Sequence, residues 1–448
     1  MAGKWGVAVQ CRKPYQAFHG DGPPRLGREC RASERARPTP FVTSMQLRTV
    51  ALCLLALTAG ASLRSLAAQA PAFQSPGMSP YSTMGQTTRF STDFNPSFGF
   101  VIDAFADYLD VDDGDDGFDA AFRLMEFNAA AYVDPEAWAY ATITTTEELE
   151  QLAVEEAAIE YLGFGDRSTL TIGRFFVDFG KQMQEHVEEL RTIERPLVLR
   201  EFLGEELSGT GLEFNHWFEV NESTPVRFSL GVFASLLGEE EHHSGGEDEP
   251  EVETEVPERK DVDELSILGR VTGMTDVGER GKLQLGVSGR VVPEFAFEFG
   301  ALEQDGLSNT VYGADVSYLW ASETGVERFL IGGEWLVFDG DLAGVVDDPN
   351  APTVLNVIDD SAHGYYTYAD YQWNEAMSAG VNYSWIEAPE SPDDAESELD
   401  LYVTRRSTSF RRLRLGVTLA ESDVAGDSTR VFVQFTNIFG AISHGINW

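Results

Sequence analysis

The stretch "KLQLGVSGRVV", residues 282–292, decides the fold. Side chains of a β-strand alternate between its two faces with a period of two. Read that way, Leu283, Leu285, Val287, Gly289 and Val291 lie on one side, and Lys282, Gln284, Gly286, Ser288 and Arg290 on the other. A soluble sheet turns such an apolar face into a protein core; a membrane barrel turns it into lipid. The surroundings of the segment separate the two.

The same alternation recurs along the chain. "VRFSLGVFASLL" sets Phe228, Leu230, Val232 and Leu236 against Arg227, Ser229 and Gly231. "NTVYGADVSYLW" sets Tyr312, Val316, Tyr318 and Trp320 against Gly313, Asp315 and Ser317. "AMSAGVNYSWIE" and "RRLRLGVTLAES" repeat it at 376–387 and 411–422. Sixteen such segments fit between residues 98 and 439. The connections sort by parity. One set is short, such as "DP" (134–135), "GDR" (165–167) and "NEA" (374–376). The other set is mostly long and carries most of the acidic residues, at 110–117, 179–207, 238–263, 294–307, 339–361 and 388–397 among others. Tight turns at one end and long loops at the other characterise outer-membrane barrels. A closed barrel also satisfies every backbone group in lipid. The expected class is therefore all-β: a transmembrane antiparallel barrel of about sixteen strands, its partner the lipid of the outer membrane. Tyr and Trp near strand ends fit an interfacial girdle.

The formal net charge of −42 excludes nucleic acid as a partner, since phosphates would be repelled. "MQLRTVALCLLALTAGASLRSLAAQA", residues 45–70, has the basic start, short apolar run and small-residue end of a secretory signal peptide. Residues 1–44 precede it, are basic and patternless, and are expected to come from an upstream start; 71–96 is expected to be a periplasmic linker before a barrel at 97–448. Cys11, Cys30 and Cys53 all lie ahead of the expected cleavage, leaving the exported chain without thiols.

Three further stretches carry a family likeness. They are "FRLMEFNAAAYVDPEAWAYATI", "VEEAAIEYLGFGDRSTLTIGRFFVDFGK" and "RTIERPLVLREFLGEELSGTGLEF". A strand ending in a D-P turn, a later G-R-F-x-x-x-F-G strand, an R-P-L loop and a G-T-G segment resemble the phosphate-selective porin O/P superfamily. The likeness is best over about 118–220 and involves Gly173, Arg174, Phe175, Phe179, Gly180, Arg195, Pro196, Gly209 and Gly211. It implies a homotrimeric sixteen-stranded porin, inserted by the barrel assembly machinery, with loop 179–207 folded into the lumen. It also implies passive diffusion of small hydrophilic solutes or ions. The lysine ladder with which that family holds phosphate is not visible here.

Candidate pore-lining residues are Arg174, Arg227, Arg270, Arg290, Arg328, Arg412, Arg414, Glu213 and Asp315. Rings of charge set ion preference in pores, or opposite charges pair between neighbouring strands. Arg191, Arg195 and Arg200 are the candidate charges of a constriction on loop 179–207, whose apolar Pro196–Leu199 run calls for packing against an inner wall. Loop 238–263 holds twelve acids and the adjacent His242 and His243. This is a solvated loop or a bait for zinc or another divalent cation in a metal-linked channel. A barrel enzyme is the rival of another class. His216 lies on an apolar face with no serine or acid apparent in register. No Gly-rich phosphate loop, C-x-x-C or G-x-S-x-G is present, so neither cofactor nor catalysis is expected.

Overall fold

The computed structural model describes residues 96–440 apart from 112–115, 146–151, 163–166, 205, 222–223, 235, 237–260, 300–301, 347–353, 389–393, 409 and 424–425. Residues 1–95, His242 and His243 and most of loop 238–263 lie outside the described residues.

Sixteen strands form the described chain: β1 (Ser97–Val111), β2 (Gly117–Asp134), β3 (Ala137–Thr145), β4 (Ala153–Tyr161), β5 (Ser168–Phe176), β6 (Ser208–Asn221), β7 (Thr224–Phe233) and β8 (Ser266–Val277). They continue as β9 (Gly281–Phe299), β10 (Leu302–Ala321), β11 (Arg328–Val346), β12 (Val354–Asn374), β13 (Met377–Glu387), β14 (Ala395–Thr408), β15 (Arg411–Ser422) and β16 (Ser428–Gly440). Each pairs antiparallel with its neighbours in sequence, and β1 pairs with β16 to close the ring. No described helix is long and apolar enough to cross a membrane.

The opening segment lies in β9, and its two faces separate cleanly. Leu285 is 55% and Val287 54% exposed on the outside, whereas Gln284 is 3% and Arg290 2% exposed on the inside. The apolar face of the ring is thus its outer face, the reverse of a soluble core. Side-by-side register also lines outward aromatic residues into rows. Trp320 pairs with Phe329 and Phe329 with Tyr371. On the far side Trp335 pairs with Tyr365 and Tyr365 with Trp385. Amphipathic rings in two such rows match the two headgroup levels of a bilayer.

The short connections are fixed by side-chain oxygens that stand in for a strand partner. Glu136 N–H donates to Asp134 Oδ1 at 2.8 Å, and Ala376 N–H to Asn374 Oδ1 at 2.8 Å. On the other side two expected loops shrink. Most of 294–307 and of 339–361 is strand, because β9 to β12 run for 19, 20, 19 and 21 residues. A tilted strand of about 9–11 residues already spans a bilayer. The two hairpins they form, β9–β10 and β11–β12, therefore continue past the apolar band, and their acidic outer parts are paired strand rather than loose loop.

Candidate functional site

The inside of the barrel is occupied by the connection between β5 and β6. Its ends are tied together, Val177 N–H donating to Leu207 O at 3.1 Å. It turns inward at Gly180, where φ is +57° and an added Cβ would fall 2.0 Å from Glu334 Oε1. Only glycine suits that place. The segment contains a 3-10 turn at Val187–Glu189 and an α-helix, α1 (Leu197–Leu203), opened by Pro196, whose fixed φ is compatible with a helix start. Leu197, Val198, Leu199, Phe202 and Leu203 are buried in one cluster with Leu268, Val292, Val311, Leu336, Phe338, Tyr366 and Ile386. Those seven wall residues have the inward parity of β8 to β13. The apolar run thus packs on an apolar band inside the barrel, and the hydrophobic effect holds the segment there.

Polar anchors extend the attachment around half the ring. Gly180 N–H donates to Ser288 Oγ on β9 at 3.0 Å and Lys181 N–H to Glu334 Oε2 on β11 at 3.2 Å. Val198 N–H donates to Ser384 Oγ on β13 at 3.1 Å. Arg200 pairs with Glu194 and, at 2.8 Å, with Glu398 on β14. Arg414 on β15 donates to Thr192 O at 3.0 Å, and Arg430 on β16 pairs with Glu194 and Asp107.

The nominated residues occupy different roles. Arg227 and Arg270 point inward and meet Asp178 at the root of the segment; Arg270 also meets Asp315 at 2.7 Å and Ser288 Oγ at 2.6 Å. Glu213 is buried beside them, accepting from Asn215 at 2.9 Å and from Asp178 N–H at 3.4 Å. Arg290 is buried against neutral acceptors, the carbonyls of Leu236 and Phe202 and the Asn309 side chain. Arg414 likewise uses Gln434, Thr404 and a carbonyl, and Arg412 uses Thr436. Arg328 has inward parity but sits exposed at a short turn, its Nε on Gly325 O at 2.9 Å. Arg174 departs from the expectation of a pore-lining charge. It shares the outward side of β5 with Leu170 and Ile172, at the end of the strand, and donates to Val154 O at 3.1 Å. A long arginine can reach a carbonyl from there while its stem covers apolar surface.

The three loop arginines differ as well. Arg195 is 2% exposed and bonds to Gln182 O at 2.5 Å and to Glu185 O, so it staples the segment to itself. Arg191 lies 5.2 Å over the Tyr368 ring and 3.5 Å from Glu185. Burial alone would lower the Lys181 ammonium pKa, and with Glu185, Arg191, Asp315 and Arg270 around it the value comes to about 8. Burial would raise Glu194, but Arg200 and Arg430 outweigh it and hold the carboxyl at about 2.

Residues that alternation did not single out include Asp178, Lys181, Arg430 and a cluster around His186. The His186 ring is buried in the segment, with Glu126 of β2 and Glu155 and Glu156 of β4 around it. Burial disfavours the charged ring, yet Glu126, Glu155 and Glu156 carry its pKa well above the usual histidine value. Strict alternation would have sent Glu155 outward. A bulge prevents that: Thr142 pairs with Glu156 and Ile143 with Val154, so Glu155 is the extra residue. His216 does have a neighbour in register: Ser168 Oγ lies 2.8 Å from its Nδ1. The pair sits on the outward face between Phe214 and Phe218 rings stacked on the histidine at 6.5 Å.

Neither a family model nor a curated relative matches the sequence. Solved structures that align with the chain include outer-membrane proteins, a porin and a channel among them. OprB of Pseudomonas putida, in its high-pH structure, aligns with a TM-score of 0.49 at 11% identity over 77% of this chain and 94% of its own. An anion-selective porin from Comamonas acidovorans gives 0.48 at 11% identity over 77% and 99%. The channel DcaP of Acinetobacter baumannii gives 0.46 at 11% over 78% and 99%.

Proposed function

We propose that the protein is an outer-membrane porin, exported through its signal peptide, that lets small hydrophilic solutes or ions diffuse passively. One arrangement carries the reading: a closed sixteen-strand ring, apolar outside and charged inside, with a segment of its own chain anchored across the interior. Such a segment narrows a path without sealing a membrane, and the charges beside it weight what passes. Arg227 and Arg270 are matched by Asp178 and Asp315, so they act as struts. Arg412 and Arg414 are bonded chiefly to neutral groups and are the stronger candidates for the field in the path. The reading includes a homotrimer, as the family likeness implies.

Planar-bilayer recording of the purified protein tests the reading. Discrete ohmic steps in potassium chloride are expected. Insertion with no conductance would remove it and leave a barrel enzyme as the reading to pursue.

A further inference from the structure

The His186 cluster has a geometry that the porin reading does not use. Glu155 Oε2 lies 3.3 Å and Glu126 Oε2 3.7 Å from His186 Nδ1. The three donor atoms all fall within 4.8 Å of one another. These separations exceed the optimum for a nitrogen donor, about 2.7 to 3.2 Å, although Glu155 still serves as a hydrogen-bond partner of the ring. They match the edge of a tetrahedron, about 3.4 Å when nitrogen and carboxylate oxygen each lie about 2.1 Å from a central ion.

We propose that His186 Nδ1, Glu126 and Glu155 form a binding site for a divalent transition-metal ion of the zinc class inside the barrel. Two observations besides the clustering support it. First, Glu156 Oε2 is buried and lies 3.4 Å from the other ring nitrogen, Nε2. It is placed to hold Nε2–H. That fixes the tautomer in which Nδ1 offers its lone pair, as second-shell carboxylates do for metal-bound histidines. The Glu156 Oε1 atom is itself fixed by Phe176 N–H at 3.2 Å. Second, the bulge in β4 turns two consecutive glutamates toward one imidazole, at the cost of a ladder position. Bulges re-aim side chains in this way beside functional sites.

The donor set chooses the ion. One imidazole and two carboxylates suit zinc or a neighbour in its row, whereas calcium and magnesium favour oxygen alone. Three protein ligands leave a fourth position for water or another donor. Glu155, its side chain 12% exposed, is the most accessible of the three ligands. Asn128 donates to Glu126 Oε1 at 2.5 Å and Phe176 packs edge-on to the histidine ring at 4.6 Å, so two of the ligands are held in place beforehand.

The site is separate from the acidic loop that holds His242 and His243, so the test must remove that loop's contribution. The full-length exported protein carrying His242→Ala and His243→Ala is titrated calorimetrically with zinc chloride in detergent. One zinc per chain is expected. Adding His186→Ala should weaken binding by at least about 100-fold, and Glu156→Gln, which touches only the ring's far side, by about 10–100-fold. Glu155→Gln is a second ligand variant should His186→Ala fail to fold, judged by heat-modifiable gel mobility. Zinc absorption spectra should show nitrogen and oxygen neighbours. Zinc binding unchanged by His186→Ala and Glu155→Gln would overturn the proposal, as would equal affinity for calcium. Conductance in metal-free buffer is recorded in parallel. Its absence would remove the porin reading and leave the metal site standing.

Discussion

Replacing Arg195 by methionine tests what holds the inner segment in place. The side chain keeps its bulk and loses its donors. In the folded protein the guanidinium donates to two carbonyls, those of Gln182 and Glu185. A hydrogen bond to a charged group contributes about 1.5–3 kcal/mol, and removing the donor leaves buried acceptors unsatisfied. Two such bonds give about 3–6 kcal/mol. Relief of a buried charge returns part of this, leaving a net loss of about 3 kcal/mol, roughly a 100-fold shift toward an opened segment. The backbone ladder of the barrel does not involve Arg195, so gel mobility of the folded barrel should not change. Limited digestion with a glutamate-specific protease reads the difference. In the native protein Glu188 is buried and cleavage there should be slow; in Arg195→Met it should rise by about the same 100-fold. Arg195→Lys should lie between, since one ammonium cannot serve two diverging carbonyls as a planar fork does. Equal cleavage in native protein and Arg195→Met would refute the reasoning and assign the arginine to the pore field instead.

Four more outcomes follow from the structure. Arg270→Met should lower stability toward denaturant by about 3–5 kcal/mol, because it strands Asp315 and leaves Asp178 with Arg227 alone; adding Asp315→Asn should recover part of that. Leu285→Arg on the outer face should cost about 2–4 kcal/mol in refolding into vesicles, and no cost would mean that this face does not meet lipid. The Lys181 ammonium, held at about 8, loses its proton as pH rises from 7 to 9. Positive charge then leaves an interior that also contains Glu185, Asp315, Arg191 and Arg270, so reversal potentials across a salt gradient should move toward cations, and not in Lys181→Met. An epitope placed between Gly245 and Gly246 should label on intact cells, and labelling only after the outer membrane is opened would invert the topology.

The ring itself was legible because alternation is a two-state signal. In β9 every inward residue is small, polar or charged until Val292, and every outward one is aliphatic or glycine between 283 and 291. The site was less legible, for three physical reasons. Arg174 follows Ile172 by two positions and so shares its outward side; charge alone had argued otherwise. Glu155 is turned inward by a bulge, and a bulge shifts the phase without any mark in composition. Pairing between the β5–β6 segment and β14 to β16 is tertiary, joining residues some two hundred positions apart such as Arg200 and Glu398 or Arg414 and Thr192. The Pro196–Leu199 run could announce that the segment packs against something, but not which arginines would reach it.

The seam between β1 and β16 pairs Gly99 with Gly440 and Val111 with Ser428. Its two sides are separated by nearly the whole described chain, so the loop-closure entropy is met only when the last strand arrives. Until then two edges stand open. By the same step Arg430, on that last strand, reaches Glu194 in the interior. The ring is therefore fastened around its own contents: the inner segment receives its final strut as the seam closes. A chain cut before residue 428 would lose the seam and that strut together, and two unpaired edges would remain as templates for association with other chains.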